Sequence, residues 1–137
     1  LWTIICTDND ASTISGSVKM PDSWDAGTVT FEHVYIQTAA DTAVLNGDIA
    51  AQCRGNGEAL ADWATGLAEQ AIDAAAVTGS GKNDFTTSAA VTPAGTCAAG
   101  DMLYFRYQLD AGGTTTAVAT LQHVGFKMEY NVTSRSD

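Results

Sequence analysis

The sequence predicts an all-β domain: an antiparallel β-sandwich of jelly-roll type, with seven to nine strands and at most one short helix. Three observations carry this. Apolar and polar residues alternate at period two through several segments of strand length, the pattern of a sheet with one buried face. Clusters of Gly, Asn, Asp and Pro punctuate those segments at regular spacing, as in sandwiches built from many short strands. Much of the apolar content is alanine, set among plentiful threonine and glycine, a mixture suited to thin, closely spaced layers rather than leucine-rich helices. A jelly roll is preferred to an immunoglobulin arrangement.

Taken in order, Leu1 to Thr7 is a short apolar run that reads as a first strand, and Asp8-Asn9-Asp10 turns it, since Asx side chains bond their own backbone. Residues 1–17 thus form an N-terminal strand and arm available for assembly. Val18 and Met20 sit two apart in a second strand stopped by Pro21. From Thr28 the alternation is clean, with Val29, Phe31, His33 and Tyr35 on one face and Thr28, Thr30 and Glu32 on the other. Asn46-Gly47 is a hairpin signal, because both residues tolerate positive φ. It leads into a strand with Ile49, Ala51 and Cys53 on one face, and Gly55-Asn56-Gly57 turns that strand.

Residues 58–76 are good helix formers interrupted by Gly66. They read as a short helical or looped piece near Glu58 to Trp63, then a strand from about Glu69. Residues 79–84 read as a flexible loop, and Phe85 to Val91 as a short strand closed by Pro93 and Gly95. Asp101 opens the clearest strand, with Leu103, Phe105, Tyr107 and Leu109 against Met102, Tyr104, Arg106 and Gln108, turned by Gly112-Gly113. The last stretch alternates through Val124, Phe126, Met128, Tyr130 and Val132. Thr114 to Val132 is long for one strand, so a bend or bulge is expected near Gly125.

One domain accounts for all 137 residues, a length that buries about two thirds of its unfolded surface. The net charge is −10, from 6 basic and 16 acidic residues. Nucleic-acid binding needs clustered Lys and Arg, and anionic membranes repel such a chain, so neither partner is expected. Cys6, Cys53 and Cys97 are too few for a disulfide framework. Buried free thiols are the simpler reading, with a Cys53–Cys97 bridge as the alternative.

Candidate chemistry is sparse. His33 and His123 are the only histidines; both fall within strand patterns and read as structural. Residues 77–83, "VTGSGKN", imitate a phosphate loop but have Ala76 for the first glycine and Asn83 for the Ser/Thr. Asp8-Asn9-Asp10 and Asp22…Asp25 offer oxygens without the spacing of a calcium loop. No catalytic residue, cofactor or metal site is therefore assigned, and the chain is read as non-enzymatic. The aromatic residues remain. Trp2, Trp24 and Trp63 either stack on sugar rings or seal a layer edge or subunit contact, and sealing is favoured. Pro21, Asp22, Trp24, Asp25 and Gly27 are read as a structural corner, with Trp24 folded near Phe31 or Phe105 and the two aspartates bonding backbone N–H groups.

Four segments also carry a resemblance. "MPDSWDAGTVTF" (20–31) resembles a Pro-x-x-Trp-Asp-x-Gly-Thr-Val-Thr run in tail and minor structural proteins of tailed bacteriophages, where it opens the first long strand of a C-terminal β-domain. "GNGEALAD" (55–62), "AGTCAAGDMLYFRYQLD" (94–110) and "ATLQHVGFKMEY" (119–130) are similar to later segments of that family in the same order. The family's Val-Val-Trp-Gly strand is missing; "AVLNGDIAAQC" stands there instead. The resemblance implies a β-sandwich on the virion, assembled in the host cytoplasm as capsid decoration or tail component. It also implies association with copies of itself, as a homotrimer, and with other virion proteins. The alternative from a different class is a glycan-binding module recognising a surface glycan.

Overall fold

The computed structural model describes residues 4–6, 13–37, 46–63, 67–72, 82–109 and 121–133. They contain eight strands: β1 (Ile4–Cys6), β2 (Thr13–Lys19), β3 (Trp24–Gln37), β4 (Gly47–Arg54), β5 (Gln70–Ala71), β6 (Lys82–Thr87), β7 (Met102–Leu109) and β8 (Leu121–Val132). Two four-stranded sheets result, ordered β1-β8-β3-β6 and β2-β7-β4-β5, and every strand pairing is antiparallel. The protein is a β-sandwich. Its pairing is nested, β1 with β8, β2 with β7, β3 with β6 and β4 with β5. The β3–β8 and β4–β7 contacts then knit each sheet together.

The period-two reading holds where the alternation is cleanest. Val29, Phe31, His33 and Tyr35 of β3 are all buried, as are Leu103 and Tyr107 of β7 and Ile49, Ala51 and Cys53 of β4. These faces meet as an aromatic layer. The Phe31 and Phe105 rings lie 5.3 Å apart, His33 and Tyr107 4.9 Å, and Tyr107 and Phe126 5.4 Å. Tilted ring pairs at such distances are favourable beyond their burial. His33 stacks on Phe126 at 4.7 Å with an interplanar angle of 13°, which makes it a core residue. Two glycines give these rings room. A Cβ on Gly16 would come within 2.5 Å of Phe105, and one on Gly47 within 2.5 Å of Tyr107.

The expected irregularity near Gly125 is present. Val34 pairs with Gly125 and Tyr35 with His123, so Val124 is an extra residue in the ladder. Residues 110–120, with the expected Gly112-Gly113 turn, lie outside the described residues, as do Asp8-Asn9-Asp10, Trp2 and most of the phosphate-loop look-alike.

No helix occurs among the described residues, and of the two forms expected near Glu58 to Trp63 the looped one is present, because its backbone bonds go to side chains of the sheet beneath it. Three expectations are corrected. Asn46-Gly47 does not turn a hairpin: β3 and β4 belong to different sheets, and Gly47 is needed for the Tyr107 ring rather than for positive φ. Lys82 to Asp84 are strand, not loop, paired with Tyr35 to Gln37. That strand ends at Thr87, and Val91 makes a separate bridge to Val29. Finally, Cys53 and Cys97 are joined by a disulfide with Cα atoms 5.4 Å apart, so the free-thiol reading fails for that pair. The loop is set for it by two backbone bonds: Cys53 N–H donates to Ala94 O and Ala94 N–H to Ala51 O, both at 2.9 Å.

Candidate functional site

The corner at 20–27 is built by short-range chemistry. Trp24 N–H donates to Pro21 O at 3.0 Å and closes a turn, while Met20 N–H reaches Asp101 O at 2.9 Å. Asp25 Oδ1 accepts from Gly27 N–H at 2.8 Å, the Asx bond expected of it. Between them Ala26 takes a left-handed φ of 56°, unusual for a residue with a Cβ. The ladder to β8 jumps from Trp24↔Val132 to Val29↔Tyr130 across this bulge. Asp22 plays a different part from the one expected: its Oδ1 sits where a Cβ on Gly100 would come within 3.1 Å.

Trp24 itself is 2% exposed and belongs to the same core cluster as Phe31 and Phe105. It seals the end of the sandwich and offers no ring face to a ligand, which removes it as a sugar-stacking platform. Trp63 is partly buried, and the Arg106 guanidinium lies over its ring, 5.5 Å from the centroid.

That contact belongs to a feature the sequence did not reveal. The segment 55–63 folds back over the outer face of its own sheet. Gln52, fully buried on that face, accepts from Ala61 N–H at 2.8 Å and donates to Ala61 O at 3.3 Å. Arg54 Nε donates to Ala59 O at 2.7 Å. Arg106 donates to Trp63 O at 3.1 Å and pairs with Glu69 at 2.9 Å. Three side chains therefore satisfy backbone groups that a helix would otherwise have paired. Beneath this strap, Ala50 and Gln52 are buried as completely as the core-facing residues of β4.

The opposite situation holds at the other side of the sandwich. β1 covers β8 only from Leu121 to His123; among the described residues nothing pairs with the same side of β8 from Val124 to Val132. Phe126, Met128 and Tyr130 lie opposite His33, Phe31 and Val29, so they share the core-facing side. Yet Tyr130 is 39% and Val132 46% exposed, and Val18 of edge strand β2, opposite buried Leu103, is 38% exposed. Val18 lies beside Met20 and Val132 pairs with Trp24, which places all three at the corner end of the sandwich. Core-type side chains thus reach solvent along one open edge. The alternation of Phe126 to Val132 was the available signal; its continuation past the covered core was not.

On the outer face of the same strand, Lys127 Nζ lies 2.6 Å from Glu129, both well exposed. That bond, the Glu129 charge and the Glu32 charge hold the Lys127 pKa above the ordinary lysine value. A shallow groove of about 490 Å³ beside it is lined by Thr28, Thr30, Glu129, Tyr130 and Asn131, with Met128. Among the described residues no group of three or more His, Cys, Asp or Glu is placed to hold a metal ion. Comparison with protein-family models, curated proteins and solved structures finds no match.

Proposed function

We propose that this domain is a non-enzymatic structural subunit of a bacteriophage particle, in capsid decoration or the tail, that works by associating with copies of itself and with neighbouring virion proteins. The observation that carries this is the open edge: Val18, Tyr130 and Val132 have core-facing parity yet stand in solvent at one end of the sandwich. Apolar groups gathered at an edge mark a contact surface. The nested strand pairing supports a jelly-roll reading, a wiring common in viral capsid and lectin domains. A Cys53–Cys97 bridge suits a particle exterior better than a reducing cytosol. The glycan-binding alternative loses its main platform with the burial of Trp24.

Two measurements test this. Light scattering on the purified chain should give a closed oligomer, of which the three-fold set is one form. Immunogold labelling with antibodies to the chain should decorate intact particles. A strict monomer of 14.2 kDa that labels no particle ends this reading and makes a glycan array the next experiment.

A further inference from the structure

We infer that the open edge of β8 is completed by β8 of a second copy, antiparallel about a two-fold axis at Met128, so that one sheet runs through both subunits. This rests on the self-association proposed above and specifies its geometry.

The register follows from faces and charges. A continuous sheet keeps core-facing residues on one side, which requires even residues of one copy to oppose even residues of the other. Of the registers this allows, an axis at Lys127 sets two lysines face to face, and an axis at Glu129 sets two glutamates face to face. An axis at Met128 places Lys127 opposite Glu129 of the partner, twice over, and Phe126 opposite Tyr130. Opposite charges and aromatic pairs in directly opposed positions both stabilise a ladder, and like charges destabilise it.

The limits of the edge fit the same register. The pairing would run from Val124 to Val132, nine residues. At one end of that span β1 begins, with Ile4 on His123. At the other, Thr133 N–H donates to Ser23 O at 2.9 Å, and the chain bends out of the strand at that residue. Each copy's bend therefore falls where the other's β1 starts. The contact is isologous, as closed two-fold dimers require.

Charge reversal tests the register directly. The wild-type chain is expected to elute at twice 14.2 kDa by light scattering. Lys127→Glu and Glu129→Lys each create two like-charge oppositions and should weaken dimerisation at least about tenfold. Mixed together, the two variants should regain wild-type dimerisation, because position 127 of each copy then again faces an opposite charge at position 129 of the other. Neither variant holds an opposite-charge 127/129 pair within its own chain, so recovery on mixing cannot come from repaired folding. A trimer, or single variants that still dimerise fully, overturns the edge pairing and leaves self-association standing. A wild-type monomer at millimolar concentration overturns both. If β8 edge amides are then protected from exchange, a segment of the same chain covers the edge.

Discussion

Reduction of the Cys53–Cys97 bridge should destabilise the protein by about 4 kcal/mol without changing its native structure. The two cysteines are 44 residues apart in sequence. In the chain-entropy account, closing a loop of that length removes enough freedom from the unfolded state to stabilise the fold by about 4 kcal/mol at 25 °C. The native side contributes little to the difference, since the loop holds its place by other means: Ala94 exchanges backbone bonds with Ala51 and Cys53. The assay is urea unfolding followed by tryptophan fluorescence, with and without a phosphine reductant. For a domain of this size the midpoint should fall by about 2 M in the reduced protein. Thiol titration in denaturant provides the control, with one reactive thiol, Cys6, before reduction and three after. Coincident midpoints with three thiols counted after reduction would refute the entropic argument. Three thiols in the protein before reduction would refute the bridge.

Other expectations follow from single contacts. Gly47→Ala drives a methyl group into the buried Tyr107 ring and should lower stability by about 1–3 kcal/mol in urea titration; an unchanged midpoint would mean the ring moves aside freely. Gln52→Leu leaves both polar groups of Ala61 without their partner and should cost about 1–3 kcal/mol, with amide exchange rising at 58–63 rather than in β3. Trp24→Phe should remove a blue-shifted, acrylamide-resistant component of the fluorescence, because Trp24 is the fully buried indole among the described residues; loss of only solvent-exposed emission would contradict its placement. Lys127 should titrate above an ordinary lysine in side-chain NMR, returning toward the usual value in Glu129→Gln. A pKa raised by folding stabilises fully below the unfolded value and fades as pH rises through the folded one. The small contribution of this exposed pair is therefore lost only in strongly alkaline solution.

What the sequence made legible follows physical lines. β3 and β7 were readable because the core-facing residues of each are more deeply buried than those between them, so Val29, Phe31, His33 and Tyr35, and Leu103 and Tyr107, stand out at period two. β4 was half readable: Ile49, Ala51 and Cys53 marked the core face. Ala50 and Gln52 concealed a second buried face, because what covers it is a loop whose backbone is satisfied by Gln52, Arg54 and Arg106. No local rule links an arginine at 106 to a carbonyl at 63. Asn46-Gly47 misled for a related reason. A glycine required by a ring from another strand looks identical in sequence to one required by a turn. At the corner, the Asp25 to Gly27 bond is local, and the expected folding of Trp24 onto the core is met by its burial in the cluster that holds Phe31.

The nested pairing sets the order in which this chain acquires its shape. β8 lies between β1 and β3, so the centre of one sheet is the last of the eight strands to leave the ribosome. Until it arrives, β1 has no strand to pair with, and β3 has one flank empty. Contacts between such distant segments form slowly, and incomplete sheets are open to the wrong neighbours. A nascent chain stopped before Leu121 would hold β2, β7, β4 and β5 in full but only the β3–β6 ribbon of the other layer. Its aromatic layer would lack Phe126, the ring that His33 stacks upon. The arrival of β8 is what joins β1 to the β3–β6 ribbon and completes that layer.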